Sequence, residues 1–135
     1  MPSSDGLSAP SSSAGKVTGA CHCGRVTLEL PSKPTKINEC RCSICYRYGA
    51  LWAYYPRNEV LVTAEEPGLK SYHREDDEAS NKLAFYLCGH CGCVTHWWGQ
   101  GEVAGRGDES APMGVNTRIL GEKGIEGVER EVGYE

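Results

Sequence analysis

The stretch GACHCGRV, at residues 19–26, places two cysteines one residue apart, with a histidine between them and a glycine after them. Thiols at this spacing occur in three kinds of structure: half of a disulfide framework, a redox pair, or half of a metal site. In a chain of 135 residues the hydrophobic core is modest, so a cross-link contributes a large share of the stability. The fold therefore depends on which of the three applies.

All eight cysteines lie close in sequence to another cysteine, in three groups. Thiolates two or three residues apart on a tight turn can converge on one zinc ion, about 2.3 Å from each sulfur, and a second pair can complete the tetrahedron. Glycines favour such turns because they permit positive φ angles and close approach of the backbone. The groups are Cys21 and Cys23; Cys40, Cys42 and Cys45; and Cys88, Cys91 and Cys93, with glycines at Gly24, Gly89 and Gly92.

Zinc is the metal that this cysteine pattern favours. A disulfide framework is typical of secreted chains, but residues 1–16 lack the basic patch and apolar run of a secretory signal. We therefore expect the protein to be cytoplasmic or nuclear, in a reducing compartment. A thioredoxin-like redox site would require a βαβ pattern around a CxxC, and the sequence has none. An iron–sulfur cluster uses the same thiolates and remains an alternative.

Spacing alone allows two divisions of the eight thiols. Two closed sites of four cysteines would make both zinc ions structural. Alternatively, CRCSIC at residues 40–45 supplies a site of three thiolates with an open position, as in catalytic zinc sites, beside one closed site and a spare cysteine. The spacing favours neither division.

Composition indicates one globular domain. Hydrophobic residues make up 39% of the chain and charged residues 24%, with a net charge of -4. No apolar run approaches the roughly 20 residues of a membrane-spanning helix, and the slight acidic excess argues against a large nucleic-acid surface. Residues 1–15, rich in Ser, Pro, Ala and Gly, are predicted to be a disordered leader, and residues 16–135 the folded domain.

The folded domain is predicted to be mainly β, because 17 glycines and 7 prolines accompany short alternating or β-branched runs and no long helical periodicity. Two polar stretches, YHREDDEASN at residues 72–81 and GEVAGRGDES at residues 101–110, are predicted to be loops. The predicted strands are RVTLEL (25–30), ALWAYYP (50–56), NEVLVT (58–63), KLAFYL (82–87), VTHWW (94–98) and, as the last strand, MGVNTRIL (113–120).

Three blocks of the sequence carry a family resemblance: GACHCGRV, CRCSICYRYGA and FYLCGHCGCVT. In order and spacing they resemble the signatures of the glutathione-dependent formaldehyde-activating enzyme family, which also includes centromere protein V. The resemblance extends from residue 19 to about residue 116. It implies a small zinc-stapled β-sheet domain of the β-tent type with short helical turns.

The resemblance also implies a division of the metal ligands, with two zinc ions per chain. The middle CxCxxC would hold the zinc associated with activity, and the first CxC and the late CxxC would hold a structural zinc. This favours an open second site. The implied ligands are Cys40, Cys42 and Cys45 for the second, catalytic zinc and Cys21, Cys23, Cys88 and Cys91 for the structural zinc.

Substrate contacts are expected around the middle block. In the nominal reaction of the family, glutathione and formaldehyde combine to S-(hydroxymethyl)glutathione, and Arg41 and Arg47 flank the proposed open site, where they could bind the carboxylates of glutathione. The family often has histidine between the first two cysteines of this block and a basic residue after the third. This chain has Arg41 and Tyr46 there, so its substrate contacts are expected to differ.

The function expected from the resemblance is that of a zinc-dependent carbon–sulfur lyase or synthase acting on a glutathione–aldehyde or related thiol adduct, including an adduct of a biosynthetic pathway. Its partners would then be small molecules, with no nucleic acid and no membrane. The alternative is a non-catalytic zinc-stapled interaction module like centromere protein V. Saturation of both zinc ions by four protein thiolates would favour this alternative.

Overall fold

The computed structural model describes residues 15–73, 83–99, 103–107 and 111–133. The predicted leader therefore lies almost wholly outside the described residues. No helix in the described ranges has the length and apolar character needed to cross a bilayer.

The elements are β1 (Val17–Ala20), β2 (Val26–Leu30), β3 (Lys36–Cys40), α1 (Ser43–Tyr48), β4 (Trp52–Pro56), a 3-10 turn (Arg57–Glu59), β5 (Leu61–Ala64), β6 (Leu69–His73), β7 (Leu83–Cys88), β8 (Val94–Gly99), β9 (Gly105–Arg106), β10 (Pro112–Asn116), a second 3-10 turn (Thr117–Leu120), α2 (Gly121–Gly124) and β11 (Glu129–Gly133).

The strands form two sheets. The smaller sheet has the order β1-β2-β5-β9, and the larger has the order β11-β3-β4-β10-β8-β7-β6. The pairing of β11 with β3 is parallel, whereas the other pairs of neighbouring strands are antiparallel. The expected mainly β architecture with short helical turns is confirmed.

Strand β2 shows how the sequence pattern produces one buried face. Val26, Leu28 and Leu30 are each fully buried, while Thr27 and Glu29 between them are partly exposed. Side chains alternate between the two faces of a strand, so the predicted alternation places the three apolar residues in the core between the sheets.

The larger sheet is buried on both faces at its centre. In β7, Ala84 and Tyr86 belong to the core shared with the smaller sheet, while Phe85 between them belongs to a second core with α1. In β4, Trp52 and Ala53 are divided between the two cores in the same way. This explains why KLAFYL and ALWAYYP are almost continuously apolar rather than alternating.

The segment MGVNTRIL differs from its prediction. The strand ends at Asn116, and the next residues form a 3-10 turn because the Asn116 side chain accepts a hydrogen bond from the backbone N–H of Arg118 at 3.2 Å. It is also not the last strand, since β11 follows it.

The two predicted loops are only partly described. Tyr72 and His73 belong to β6, and Gly105 and Arg106 form β9, so these residues are not in loops. Both strands are formed by pairing with a neighbour, β6 with β7 and β9 with β5. Residues 74–81, 101–102 and 108–110 of these stretches lie outside the described residues.

Candidate metal centres and the adjoining cavity

The first cysteine cluster is built by two similar turns. The turn between β1 and β2 is closed by the Gly24 N–H, which donates to the Cys21 carbonyl at 3.1 Å, and Gly24 has a φ of 85°. The turn between β7 and β8 is closed by the Gly92 N–H, which donates to the Cys88 carbonyl at 3.0 Å, and Gly92 has a φ of 84°. Both glycines adopt the left-handed conformation that the sequence predicted, because a side chain is strained there.

These two turns bring Cys21, Cys23, Cys88 and Cys91 together, with their Sγ atoms all within 4.8 Å of one another. The Sγ atom of Cys23 lies 3.7 Å from that of Cys21 and 3.6 Å from that of Cys88. The edge of a tetrahedron with zinc–sulfur bonds of about 2.3 Å is about 3.8 Å, so the sulfur positions fit a zinc ion.

Backbone N–H groups point at the sulfurs of this first cluster. The Val26 N–H donates to Cys21 Sγ at 3.3 Å, and the N–H groups of His90 and Cys91 donate to Cys88 Sγ at 3.3 and 3.4 Å. Hydrogen bonds from the backbone around Cys93 and Cys23 lower the pKa of Cys91 to about 5, while burial raises that of Cys21 to about 11. The donors favour thiolates, the form in which cysteine binds a metal.

The second cluster consists of Cys40, Cys42 and Cys45, whose Sγ atoms also lie within 4.8 Å of one another. Cys40 ends β3, Cys42 precedes α1, and Cys45 lies inside that helix. Gly49 ends the helix with a φ of 68°, and its N–H donates to the carbonyls of Cys45 and Tyr46. A strand end and one short helix therefore gather three thiols from six residues of sequence.

The thiols of the second cluster are buried, with exposed fractions of 6% for Cys40, 8% for Cys42 and 5% for Cys45. Burial raises the pKa of Cys40 and of Cys45, and an interaction with the Trp52 side chain opposes part of the effect on Cys45. At Cys42, burial is outweighed by hydrogen bonds, chiefly from Cys45, so that its pKa is lowered. Three closely spaced sulfurs in such a site could bind a metal ion such as zinc.

The second cluster has no fourth histidine, cysteine, aspartate or glutamate ligand among the described residues. Within those ranges, the histidine, cysteine, aspartate and glutamate side chains that meet there are the three cysteines alone. Cys93, which the sequence analysis left as a spare cysteine, lies beside Cys88 and Cys91 and lines a cavity instead. The division into four thiols and three thiols is thus the one that the described residues form.

A cavity of about 830 Å³ is lined by residues that neighbour both clusters. His22 and Cys93 come from the turns of the first cluster, whereas Tyr48, at the end of α1, and Val94 also pack against the second cluster. A second cavity of about 640 Å³ lies beside β3, β4 and β11, and none of its lining residues is a cysteine. The cysteine chemistry therefore points to the first cavity as the one that could take part in a reaction.

Two arginines, Arg47 and Arg118, line the cavity next to the clusters. Arg47 Nη1 donates to the Ser43 carbonyl at 2.9 Å, and Arg118 Nε donates to the Gly49 carbonyl at 2.6 Å, so both guanidinium groups are attached to α1 or its end. Arg41, the other arginine singled out from the sequence, does not line the cavity, and its side chain donates to Glu39 at 2.9 and 3.2 Å.

Sequence reasoning did not assign the roles of Asn116, Arg118 and Trp52. The Asn116 side chain is buried and forms hydrogen bonds with three neighbouring segments, and Arg118 lines the cavity. The NTR motif at residues 116–118 was the available signal for the first two residues, whereas the placement of Trp52 against the second cluster depends on the fold. His96 is fully buried and stacks on Tyr86 at a centroid distance of 5.1 Å.

Comparison with known proteins identifies a family and a similar solved structure. Residues 16–115 match the family described as glutathione-dependent formaldehyde-activating enzyme. A crystal structure of a Rhodobacter sphaeroides protein is similar with 25% sequence identity and a TM-score of 0.62, over 85% of this chain and 100% of that chain. No curated protein matches the chain.

Proposed function

The chain belongs to the glutathione-dependent formaldehyde-activating enzyme family, and from this premise we propose that it is a zinc-dependent enzyme that forms or breaks a carbon–sulfur bond between an aldehyde and a thiol such as glutathione. The observation that supports the proposal most is the second cluster, in which three buried thiols have no fourth histidine, cysteine, aspartate or glutamate beside them among the described residues. Tyr48 and Val94, which pack against this cluster, line a cavity. Structural zinc sites have four protein ligands, whereas catalytic sites keep one position open.

The residues of the second cluster would hold the reactive metal through Cys40, Cys42 and Cys45. A zinc ion bound there would supply Lewis-acid activation of an aldehyde oxygen or would favour the thiolate form of the substrate. Cys21, Cys23, Cys88 and Cys91 would hold a second, structural zinc ion. Because all eight cysteines are free of disulfides, a reducing compartment such as the cytosol suits both sites.

Arg47 and Arg118 are proposed to bind the carboxylates of the thiol substrate. Each commits one N–H group to a backbone carbonyl, so most of its five donors remain for a ligand. A charge-assisted, bidentate contact of this kind fixes orientation as well as affinity. Tyr48, Val94 and Ile119 also line the cavity and give it apolar walls.

The proposed reaction is an addition without oxidation or reduction. In the synthetic direction a carbon–sulfur bond forms, the π bond of the aldehyde opens, and the proton of the thiol ends on the former carbonyl oxygen. The lyase direction reverses each of these changes. Holding both reactants in one cavity converts a bimolecular reaction into a nearly unimolecular one, which is the main source of the expected acceleration.

The proposal is tested by counting metal ions and measuring turnover on the same samples. We expect native mass spectrometry to find two zinc ions in the wild type and in Cys93→Ser, and one in Cys42→Ser. The rate of adduct formation from glutathione and formaldehyde, followed by NMR exchange, should exceed the spontaneous rate for the first two proteins only. Cys93→Ser is the matched control because Cys93 belongs to neither cluster.

The alternative of a non-catalytic interaction module has its own expected result. A wild-type chain that holds two zinc ions but leaves the spontaneous rate unchanged, with formaldehyde and with larger aldehydes, would contradict the enzymatic proposal. Loss of a zinc ion from Cys93→Ser would show that Cys93 is a ligand, and a closed site would then favour the interaction module.

A further inference from the structure

The indole ring of Trp52 is placed against the second cysteine cluster. Trp52 is 1% exposed and belongs to the same buried core as Cys40, Cys42 and Cys45. Its ring is held by Phe85 and Trp97, with centroid distances of 6.0 and 6.5 Å. Neighbouring aromatic side chains therefore hold the ring in position beside the cluster.

The indole N–H of Trp52 is buried without a hydrogen-bond partner in the described structure. Leaving such a donor unpaired is unfavourable, and most buried polar groups are paired for this reason. The Trp52 side chain also interacts with the side chain of Cys45. A neutral thiol is a weak acceptor, but a thiolate is a charged one.

We propose that Trp52 Nε1–H donates a hydrogen bond to the Cys45 thiolate when the second cluster holds a metal ion. This inference rests on the proposed second metal site but not on turnover. The hydrogen bond satisfies a donor that the protein otherwise buries unpaired. It makes Trp52 a positioning residue, which acts on the metal through Cys45.

The expected consequence is a change in the sulfur rather than in the fold. A thiolate that accepts a hydrogen bond donates less charge to its metal and is a weaker nucleophile, so Cys45 would be protected from the aldehyde that the cavity is proposed to admit. Groups that bond to metal ligands in this way commonly change metal affinity by about 10-fold or more when they are removed.

Trp98 provides a matched control. Its indole N–H is also buried without a hydrogen-bond partner among the described residues, but the ring lies in the other core, beneath the Arg57 guanidinium at 3.4 Å. Trp52→Phe and Trp98→Phe each remove one indole N–H group and a similar volume. Of the two residues, only Trp52 packs in the core that contains the three cysteines.

The test uses Co²⁺ in place of zinc. The charge-transfer band of the second site is obtained by subtracting the spectrum of Cys42→Ser from that of the wild type. We expect Trp52→Phe to move this band to lower energy and to weaken Co²⁺ binding about 10-fold in chelator competition. Trp98→Phe should leave both unchanged. An unchanged band and affinity in Trp52→Phe with two Co²⁺ bound would overturn the inference.

A second measurement needs no Trp52 variant. The chain has three tryptophans, so ¹⁵N NMR of the wild type gives three indole N–H signals, and Trp97→Phe and Trp98→Phe identify the third by elimination. Loading the second zinc equivalent should shift the Trp52 signal downfield, and a signal that stays in place would refute the hydrogen bond. Wild type holding one metal ion would overturn this inference and the second site together, whereas two bound ions without turnover would overturn the proposed activity alone.

Discussion

At the scale of single residues, Arg41 and Arg47 have similar positions in the sequence and different surroundings in the structure. Both flank the middle cysteines, and both are exposed. Arg41 is paired with Glu39, and the backbone N–H of Arg41 donates to the carbonyl of Gly133, the last residue of β11. Arg47 faces the cavity. Sequence spacing predicted two equivalent cations, because it does not indicate to which side of α1 each side chain points.

The two arginines can be distinguished by neutral substitutions. We expect Arg47→Gln to weaken the binding of glutathione about 10-fold, since a charge-assisted hydrogen bond contributes about 1.5–3 kcal/mol and an exposed one lies at the lower end. Arg41→Gln should change the dissociation constant less than about twofold. Isothermal titration calorimetry with glutathione and with its diethyl ester makes the comparison.

The diethyl ester identifies the cause of any loss. It lacks the free carboxylates, so Arg47→Gln should bind it about as well as the wild type does. Equal weakening of glutathione binding by both arginine substitutions, or equal weakening for acid and ester, would contradict a carboxylate contact at Arg47.

At the scale of elements, Asn116 connects three segments around the second cluster. Its Oδ1 accepts hydrogen bonds from the N–H groups of Leu51 and Arg118 at 3.3 and 3.2 Å, and its Nδ2 donates to the Val94 carbonyl at 2.8 Å. The next residue, Thr117, donates to the Leu51 carbonyl through both its N–H, at 2.7 Å, and its hydroxyl, at 2.8 Å. The loop between α1 and β4 is thereby attached to β8 and β10.

Removal of this side chain should loosen the second cluster more than the first. We expect Asn116→Ala to lower the free energy of unfolding by about 2 kcal/mol or more, because buried backbone groups lose their partners. It should also weaken metal binding at the second site. Chemical denaturation and chelator competition measure the two effects.

Asn38→Ala is the control for the asparagine substitution. Asn38 Nδ2 donates to Tyr54 Oη at 2.6 Å in an exposed position, so its loss should change stability by less than about 0.5 kcal/mol. If Asn116→Ala were as stable as Asn38→Ala, or released metal equally from both sites, Asn116 would not hold the second cluster in place.

The sequence predicts some elements of the fold and not others for a physical reason. Some strands carry apolar residues that the core buries whichever strand lies beside them, and their hydrophobic patterns can be recognised in the sequence. These strands are β2, β4, β5, β7 and β8. β6 and β11 are almost entirely exposed and exist through pairing, β6 with β7 and β11 with β3. Their sequences, LKSYH and EREVG, carry no periodic signal, so they were not predicted.

At the scale of the whole molecule, the two cysteine clusters contribute differently to the fold. The first cluster joins the turn between β1 and β2 of the smaller sheet to the turn between β7 and β8 of the larger sheet, 65 residues apart along the chain from Cys23 to Cys88. The second cluster gathers residues within one segment of the larger sheet and α1. The clusters also lie in different cores of the molecule.

This difference predicts unequal effects of two matched substitutions. Cys21 and Cys42 are both buried, at 4% and 8% exposure, so truncation to alanine removes a similar side chain in each case. Cys21→Ala removes a ligand whose metal would link the two sheets. We therefore expect its melting temperature to fall by more than about 10 °C, since a structural zinc contributes folding free energy directly. Cys42→Ala should lower it by a few degrees only.

The melting experiment is informative only together with the metal count. Zinc-loaded samples of both variants should each hold one ion by native mass spectrometry, which shows that the same number of metal sites has been lost. With equal occupancy, a larger fall for Cys21→Ala shows that metal binding at the first site, whose ligands come from both sheets, contributes more folding free energy than binding at the second. Equal falls in melting temperature would mean that the second cluster is as structural as the first, and would remove the reason for assigning catalysis to it.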